Sequence, residues 1–169
     1  MIGVRPLTAR ALKSAIDSLR PRLPGSKVLD LFAGQGRFGI AALCEGASYV
    51  VFVESNIKTC MELKEVLVKK KLGAVSDVVR GDVFSYLSRQ APTSMNLVFA
   101  DPPFPSWSID FSMQLFSAVA KVVSIDSIFL VKAPKKMLAS CQIKPFRALK
   151  QSSFGESSLL YFEYADPYR

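Results

Sequence analysis

Histidine does not occur anywhere in this chain of 169 residues. Imidazole general-base chemistry and histidine metal ligation are therefore excluded, and no metal site is expected. Cysteine is scarce as well. Cys44, Cys60 and Cys141 lie far apart, with no C-x-x-C pair to hold zinc or exchange disulfides. Cys44 and Cys60 fall in helical patterns and are expected to pack as small hydrophobes. Three thiols without a framework suit a reducing cytosol, so a cytoplasmic protein is expected. No apolar run approaches the roughly 18 residues that span a bilayer. Nor does the amino terminus carry the apolar core of a signal peptide, and neither membrane contact nor export is expected. Acids are in short supply: 14 Asp and Glu stand against 22 Lys and Arg, a net charge of +8. That surplus favours an anionic partner, nucleic acid being the usual one, although a generically basic surface would give the same number.

What is present is a regular alternation of strand and helix signals. Thr8 is placed as the N-cap of a helix over 8–19, with Leu12, Ala15, Ile16 and Leu19 as its buried stripe. Pro21, Pro24 and Gly25 break the chain before a strand at 27–31. A helix at 36–46 ends near Gly46, a second strand covers 49–53, and Asn56 caps a helix running to about Leu72. Lys69, Lys70 and Lys71 close that helix before Gly73, where cations suit the negative end of its dipole. Next come a strand at 77–80, a helix at 83–90, a strand at 95–100, a helix at 109–123 and a strand at 127–131. The pattern then changes to a helix-like 134–140 and two strand-like runs, 143–149 and 157–164, read as an antiparallel edge pair. Such alternation predicts a parallel α/β sheet in one domain, with no repeat and no interdomain linker.

The chemistry gathers where strands end. Lys27-Val28-Leu29-Asp30-Leu31 runs into Phe32-Ala33-Gly34-Gln35-Gly36, a glycine-rich turn that opens a helix. Glycine lets the backbone pass close to a ligand, and in open parallel sheets the turn after the first strand is where nucleotide-like ligands dock. A plain strand-to-helix turn would look the same. Glu54 ends the second strand, twenty residues past Gly34, a spacing that suits a carboxylate gripping ribose hydroxyls. Asp82 ends the third. Each acid alone could be a helix cap or a solvated carboxylate. The fourth strand ends in Asp101-Pro102-Pro103-Phe104. Proline fixes φ at about −65° and has no N–H, so this corner presents carbonyl oxygens without a competing donor. A planar exocyclic amine could be held there by the Asp101 carboxylate and the Pro102 carbonyl, with its ring stacked on Phe104.

The order Asp-x-Phe-x-Gly-x-Gly, Glu, Gly-Asp, Asp-Pro-Pro-Phe resembles the class I S-adenosylmethionine-dependent methyltransferases of the amino-methylating kind. The opening Arg5-Pro6-Leu7-Thr8-Ala9-Arg10-Ala11-Leu12-Lys13 and the late Phe154-Gly155-Glu156-Ser157-Ser158-Leu159 resemble the RsmD-type 16S ribosomal RNA (guanine-N2)-methyltransferases. The resemblance runs from about Arg5 to about Phe162. The chain departs from the family pattern at Ala9, Lys13 and Phe154, and only Met1–Val4 stand where the family has a basic hairpin.

The resemblance implies a Rossmann-like, seven-stranded, mostly parallel sheet with helices on both faces. It further implies a single domain, with 1–24 as an N-terminal helical segment and 25–169 as the core. S-adenosylmethionine would lie across the strand ends against Asp30, Phe32, Ala33, Gly34, Gly36, Glu54, Ser55, Asp82, Val83 and Asp101. Asp101, Pro102, Pro103 and Phe104 would form the catalytic corner. Arg5, Thr8, Arg10, Lys13 and Trp107 would meet RNA, Trp107 as a lip over the pocket or as a hydrophobic anchor. The implied partner is ribosomal RNA or the small ribosomal subunit, approached by a monomer. No Pro-Cys dipeptide occurs, which removes the cysteine nucleophile of cytosine-C5 methylation. Adenine-N6 and protein glutamine methyltransferases share the corner motif, and a non-catalytic RNA-binding relative would share the fold. These remain alternatives.

Overall fold

Short runs rich in Val, Leu and Phe, bounded by turns, form the strands. They are β1 (Lys27–Leu31), β2 (Tyr49–Glu54), β3 (Ser76–Arg80), β4 (Met95–Ala100), β5 (Val123–Pro134), β6 (Phe146–Phe154) and β7 (Ser157–Tyr164). The structure, a computed structural model, describes residues 7–91, 95–135 and 143–165. The strands make one seven-stranded sheet in the order β3-β2-β1-β4-β5-β7-β6. Neighbours from β3 to β5 are parallel, and β7 pairs antiparallel with both β5 and β6. This is the expected Rossmann-like arrangement.

Side chains alternate across the sheet, so each strand feeds two cores. Val28, Val50, Phe52, Leu97 and Phe99 pack with α1 (Ala9–Leu19), α2 (Arg37–Cys44) and α3 (Ile57–Lys69). Leu29, Leu31, Val51, Val98 and Ala100 pack with α4 (Val83–Ser88) and α5 (Ile109–Val119) on the other face. Rings knit both layers. Phe38 of α2 stacks on Phe99 with centroids 4.2 Å apart, and Phe116 of α5 meets Phe129, Phe146 and Phe162 edge-on. Phe116 is fully buried, so truncating it to alanine would cost about 3–5 kcal/mol.

The strand order positions the site. From β1 the chain steps outward through β2 to β3, then returns to the other side of β1 with β4. The carboxyl ends of β1 and β4 are thus neighbours, with Leu31 in register with Ala100. Loops leaving such a reversal diverge and open a crevice.

The structure departs from the sequence reading at several points. Cys44, expected to pack as a small hydrophobe, is exposed at the end of α2, while Cys60 is buried as expected. In α1 the fourth buried residue is Ala11, while Leu12 is only half-buried. Helix α3 stops at Lys69, short of the expected Leu72, and Lys71 takes the left-handed conformation just past its end, with φ 59°. Helix α5 ends at Val119, and β5 is far longer than 127–131 because its last residues, Lys132–Pro134, pair with Leu159–Ser157 of β7. For the same reason β6 begins at Phe146 and continues to Phe154. Cross-strand pairing outweighs local propensity in these segments. Of the helix-like 134–140, Pro134 lies in β5, Lys135 in a turn, and 136–140 lie outside the described residues. Among the described residues, no helix is long and apolar enough to cross a membrane.

A candidate active site at the sheet's switch point

The turn after β1 is held in an unusual backbone path. Phe32, Gly34 and Gly36 all have positive φ, at 57°, 53° and 69°. For Phe32 such a value is uncommon and marks a constrained position. The Ala33 N–H bonds to the Val53 carbonyl at 3.0 Å, tying the turn to the end of β2. A side chain on Gly36 would meet Leu63 Cδ1 at 2.5 Å, whereas one on Gly34 would meet nothing within 4 Å. The glycine at 36 therefore serves packing, and the glycine at 34 opens onto the crevice.

Glu54 closes the far wall. Its Oε2 accepts the Gly34 N–H at 2.9 Å and its Oε1 accepts the Asn56 N–H at 2.8 Å. Two backbone donors fix the carboxylate plane and leave further lone pairs for a ligand. Asp30, under the turn, is buried and accepts the Gly39 N–H at 2.9 Å. Burial pushes its carboxyl well above the usual carboxylate range; the Gly39 bond opposes this, and Asp101 and Glu54 add to it. Asp82 caps α4 by accepting the Ser85 N–H at 2.8 Å.

A cavity of about 460 Å³ is lined by Asp30, Phe32, Gly34, Glu54 and Asp101 among others. A second, of about 290 Å³, is lined by Glu54, Ser55, Asp82, Val83, Asp101 and Pro103. Phe32, Gly34, Glu54 and Asp101 border both, so the two form one trough. Gly36 is the one residue of the expected cofactor set that packs behind this wall, against Leu63 and Phe52.

Asp101 stands at the end of β4, its N–H on the Leu31 carbonyl at 3.3 Å. Its carboxylate is not free. The Lys132 ammonium lies 2.8 Å from Oδ1 and 3.2 Å from Oδ2, and the same Nζ sits 5.3 Å from the centroid of the Phe104 ring. Burial raises the Asp101 carboxyl above its ordinary value, and Lys132 pulls it back. Lys132 is absent from the sequence-derived site. The signal was a single cation inside Phe129-Leu130-Val131-Lys132-Ala133, a buried strand in which a lysine requires a partner.

Beyond that ion pair lies a third cavity of about 380 Å³, bordered by Thr8, Arg10, Phe104, Lys132 and the β6–β7 turn, Phe154–Ser157. The opening and late motifs, some 140 residues apart in the chain, thus meet Phe104. Thr8 is also the N-cap of α1, accepting the Ala11 N–H at 3.2 Å. Lys13 borders none of these cavities and pairs with Asp17. Trp107 is half-buried and packs edge-on against Phe111 with centroids 5.6 Å apart. Arg5 lies outside the described residues.

The family described as "Conserved hypothetical protein 95" has a model that matches residues 2–163. Ribosomal RNA small subunit methyltransferase D of Escherichia coli (strain K12) is 33% identical over 102 residues, 60% of this chain and 50% of that protein. The chain belongs to this RsmD-type family. It spans about half the length of the curated RsmD-type relatives it matches. Among solved structures, the Escherichia coli protein yhhF superposes with a TM-score of 0.83 at 24% identity, over 96% of this chain and 88% of that one. SMU.776, whose crystal structure holds SAH, superposes with a TM-score of 0.71 at 16% identity, over 88% of this chain and 49% of that one. Both likenesses are of fold.

Proposed function

We propose that this RsmD-type protein is an S-adenosylmethionine-dependent RNA methyltransferase acting on the N2 exocyclic amine of a guanosine in 16S ribosomal RNA. It would work as a single-domain monomer in the cytoplasm, on ribosomal RNA or the small subunit. The observation that carries this reading is the place of Asp101. It borders the trough over Gly34 and Glu54, and its ion pair borders the cavity of Arg10 and Phe104. The names of the curated relatives support RNA as the substrate, and the SAH of SMU.776 supports the cofactor class.

The trough fits S-adenosylmethionine. Glu54, aimed by two backbone N–H groups, can accept both ribose hydroxyls, and the open face of Gly34 allows close approach. Ser55, Asp82 and Val83 border the end that would take the adenine, while Asp30, Phe32 and Ala33 border the other. When bound, the cofactor supplies an electrophilic methyl group on a sulfonium.

The residues of the corner then do the rest by orientation. An aromatic amine is a weak nucleophile because its lone pair is delocalised into the ring. The Asp101 carboxylate and the Pro102 carbonyl accept its two hydrogens and turn the lone pair toward the trough, while Pro103 fixes the backbone. Well-aligned groups supply up to about 7–11 kcal/mol of the barrier. Stacking on Phe104 sets the plane, and such stacking is worth about 1–3 kcal/mol. The methylated amine is acidic, so Asp101 or water takes its proton without a strong base. The base must leave its stack or already lie in a loop to reach the corner.

The test is nucleoside mass spectrometry of 16S ribosomal RNA from cells lacking the protein, incubated with it and S-adenosylmethionine. One N2-methylguanosine should appear per RNA, with S-adenosylhomocysteine in equal amount. Gain of N6-methyladenosine instead would overturn the guanosine assignment, and turnover only on a protein acceptor would overturn RNA.

A further inference from the structure

We propose that Lys132 is a positioning residue of the acceptor corner, clamping the Asp101 carboxylate and balancing its charge so that the corner receives a neutral conjugated amine and gives an ammonium no attraction. This rests on the reading of Asp101 as the amine acceptor site.

The geometry is that of a built clamp. Lys132 is 4% exposed, in the part of β5 that pairs with β7. Its Nζ reaches both oxygens of Asp101, at 2.8 and 3.2 Å, so the carboxylate is held in one plane. Its place over the Phe104 ring, 5.3 Å from the centroid, joins acid, cation and ring into one unit. The ion pair also divides the two spaces of the site. Asp101 borders the trough, and Lys132 with Phe104 borders the cavity beyond. An acceptor arriving through that cavity meets Lys132 before it meets Asp101.

Charge decides what Lys132 contributes. The groups that share these walls with Asp101 and Lys132 are the acids Asp30, Glu54, Asp82 and Glu156 and the cations Arg10 and Arg37. Of the acids, Asp30 interacts with Asp101 unfavourably. Without Lys132, burial would leave Asp101 unopposed and drive its carboxyl toward the neutral acid. A protonated carboxyl donates a hydrogen where the amine needs an acceptor. A bare carboxylate, where it did ionise, would attract any ammonium. Paired with Lys132, Asp101 keeps its acceptor lone pairs while the pair carries no net charge. A neutral aromatic amine loses nothing in such a corner, and a cationic amine gains nothing.

The test follows the Asp101 carboxyl itself. In protein labelled with 13C at aspartate, assigned with Asp101→Asn, the Asp101 resonance is titrated with pH in the parent, Lys132→Met and Lys132→Arg, with no RNA present. Lys132→Met should titrate about one pH unit or more above the parent, and Lys132→Arg should stay near it. Propylammonium, added at a pH where Asp101 is ionised in both, should perturb the resonance in Lys132→Met and not in the parent. With RNA and saturating S-adenosylmethionine, the rate of Lys132→Met should rise along an acid limb displaced upward by the same amount. Lys132→Arg should keep the parental limb, whatever its rate. Coincident titrations in parent and Lys132→Met would overturn the proposal, as would a rate loss in Lys132→Met that is equal at all pH values. Lys132→Gln serves where Lys132→Met fails to fold, with the same expected shift. If the parent methylates no RNA while the titrations separate as stated, the proposed function fails and the clamp stands.

Discussion

Gly34 donates its backbone N–H to the Glu54 carboxylate at 2.9 Å, bridging twenty residues of chain and two strand ends. The bond makes one side chain both a brace for the glycine turn and a candidate ligand for ribose. Glu54→Ala should therefore weaken S-adenosylmethionine binding while leaving the sheet intact. A charge-assisted hydrogen bond is worth about 1.5–3 kcal/mol, so losing even one lowers affinity by roughly 10- to 150-fold. Calorimetry checks this, and an unchanged affinity would remove the ribose assignment.

Asp101 carries two burdens, and substitution should reveal both. Asp101→Ala should abolish most turnover, and it also removes the carboxylate half of the buried ion pair with Lys132. Removing one partner of a buried ion pair costs about 3–5 kcal/mol. The denaturation midpoint should fall accordingly, and Asp101→Ala with Lys132→Met should recover much of the stability and none of the activity. A single variant as stable as the parent would show that the pair is not buried in solution. Phe104→Leu should be milder in rate than Asp101→Ala, because it keeps apolar contact and loses only the ring face.

How much of this was readable beforehand follows from distance along the chain. Strand ends carry their own marks, so Asp30, Gly34, Glu54, Asp82 and Asp101 could be placed by pattern, and all five border one trough, while Gly36 of the same turn packs behind it. The ion pair between Lys132 and Asp101 joins β5 to the end of β4 through register that no local pattern encodes. The same holds for the β6–β7 turn, which meets Thr8 and Arg10 only because the edge pair folds back beside β5. The pairing of Lys13 with Asp17, by contrast, sits at i, i+4 on one helix, a local spacing that the expectation of Lys13 as an RNA contact passed over.

Asp30 sets stability against binding. Its folded carboxyl is raised by burial, so the folded state holds this proton at pH values where the unfolded chain has lost it. Folding stability from this group then falls as pH rises out of the ordinary carboxylate range toward the raised value. Asp30→Asn keeps an acceptor for the Gly39 N–H and removes that dependence. The variant should equal or exceed the parent in stability on the alkaline side and bind S-adenosylmethionine less well. Denaturant melts across pH, with calorimetry alongside, check both halves.

Gly39 tests the close approach of α2 to the sheet. An alanine Cβ there would lie 2.3 Å from Phe52 Cε1 and 2.8 Å from Val50 Cγ1, both in the fully buried core. Alanine gains about 0.8–1.0 kcal/mol of helix propensity over glycine. Overpacking costs about 1–3 kcal/mol, so Gly39→Ala should lower stability despite the better helix former. A thermal midpoint at or above the parent would show that α2 can shift away from β2.

The final expectation concerns the grip on RNA, where Arg10 and Lys13 share a helical face but not an environment. Arg10 is exposed and borders the cavity of Phe104 and Lys132. Lys13 is also exposed, but its ammonium is held by Asp17, which Arg20 contacts as well. A cation already neutralised by a neighbouring acid releases fewer counterions on meeting a phosphate, because part of the gain is spent in leaving that acid. Arg10→Gln should thus weaken RNA binding and flatten the salt dependence by about 0.9 of a counterion on duplex, or about 0.7 on single strands. Lys13→Gln should do distinctly less, and Asp17→Asn should strengthen binding by releasing Lys13. Cofactor affinity should stay constant in all three, since none of these residues borders the trough. Filter binding of 16S RNA across a salt series reads all of this. Equal slopes for parent and Arg10→Gln would make α1 a cover for the core rather than a contact for the substrate.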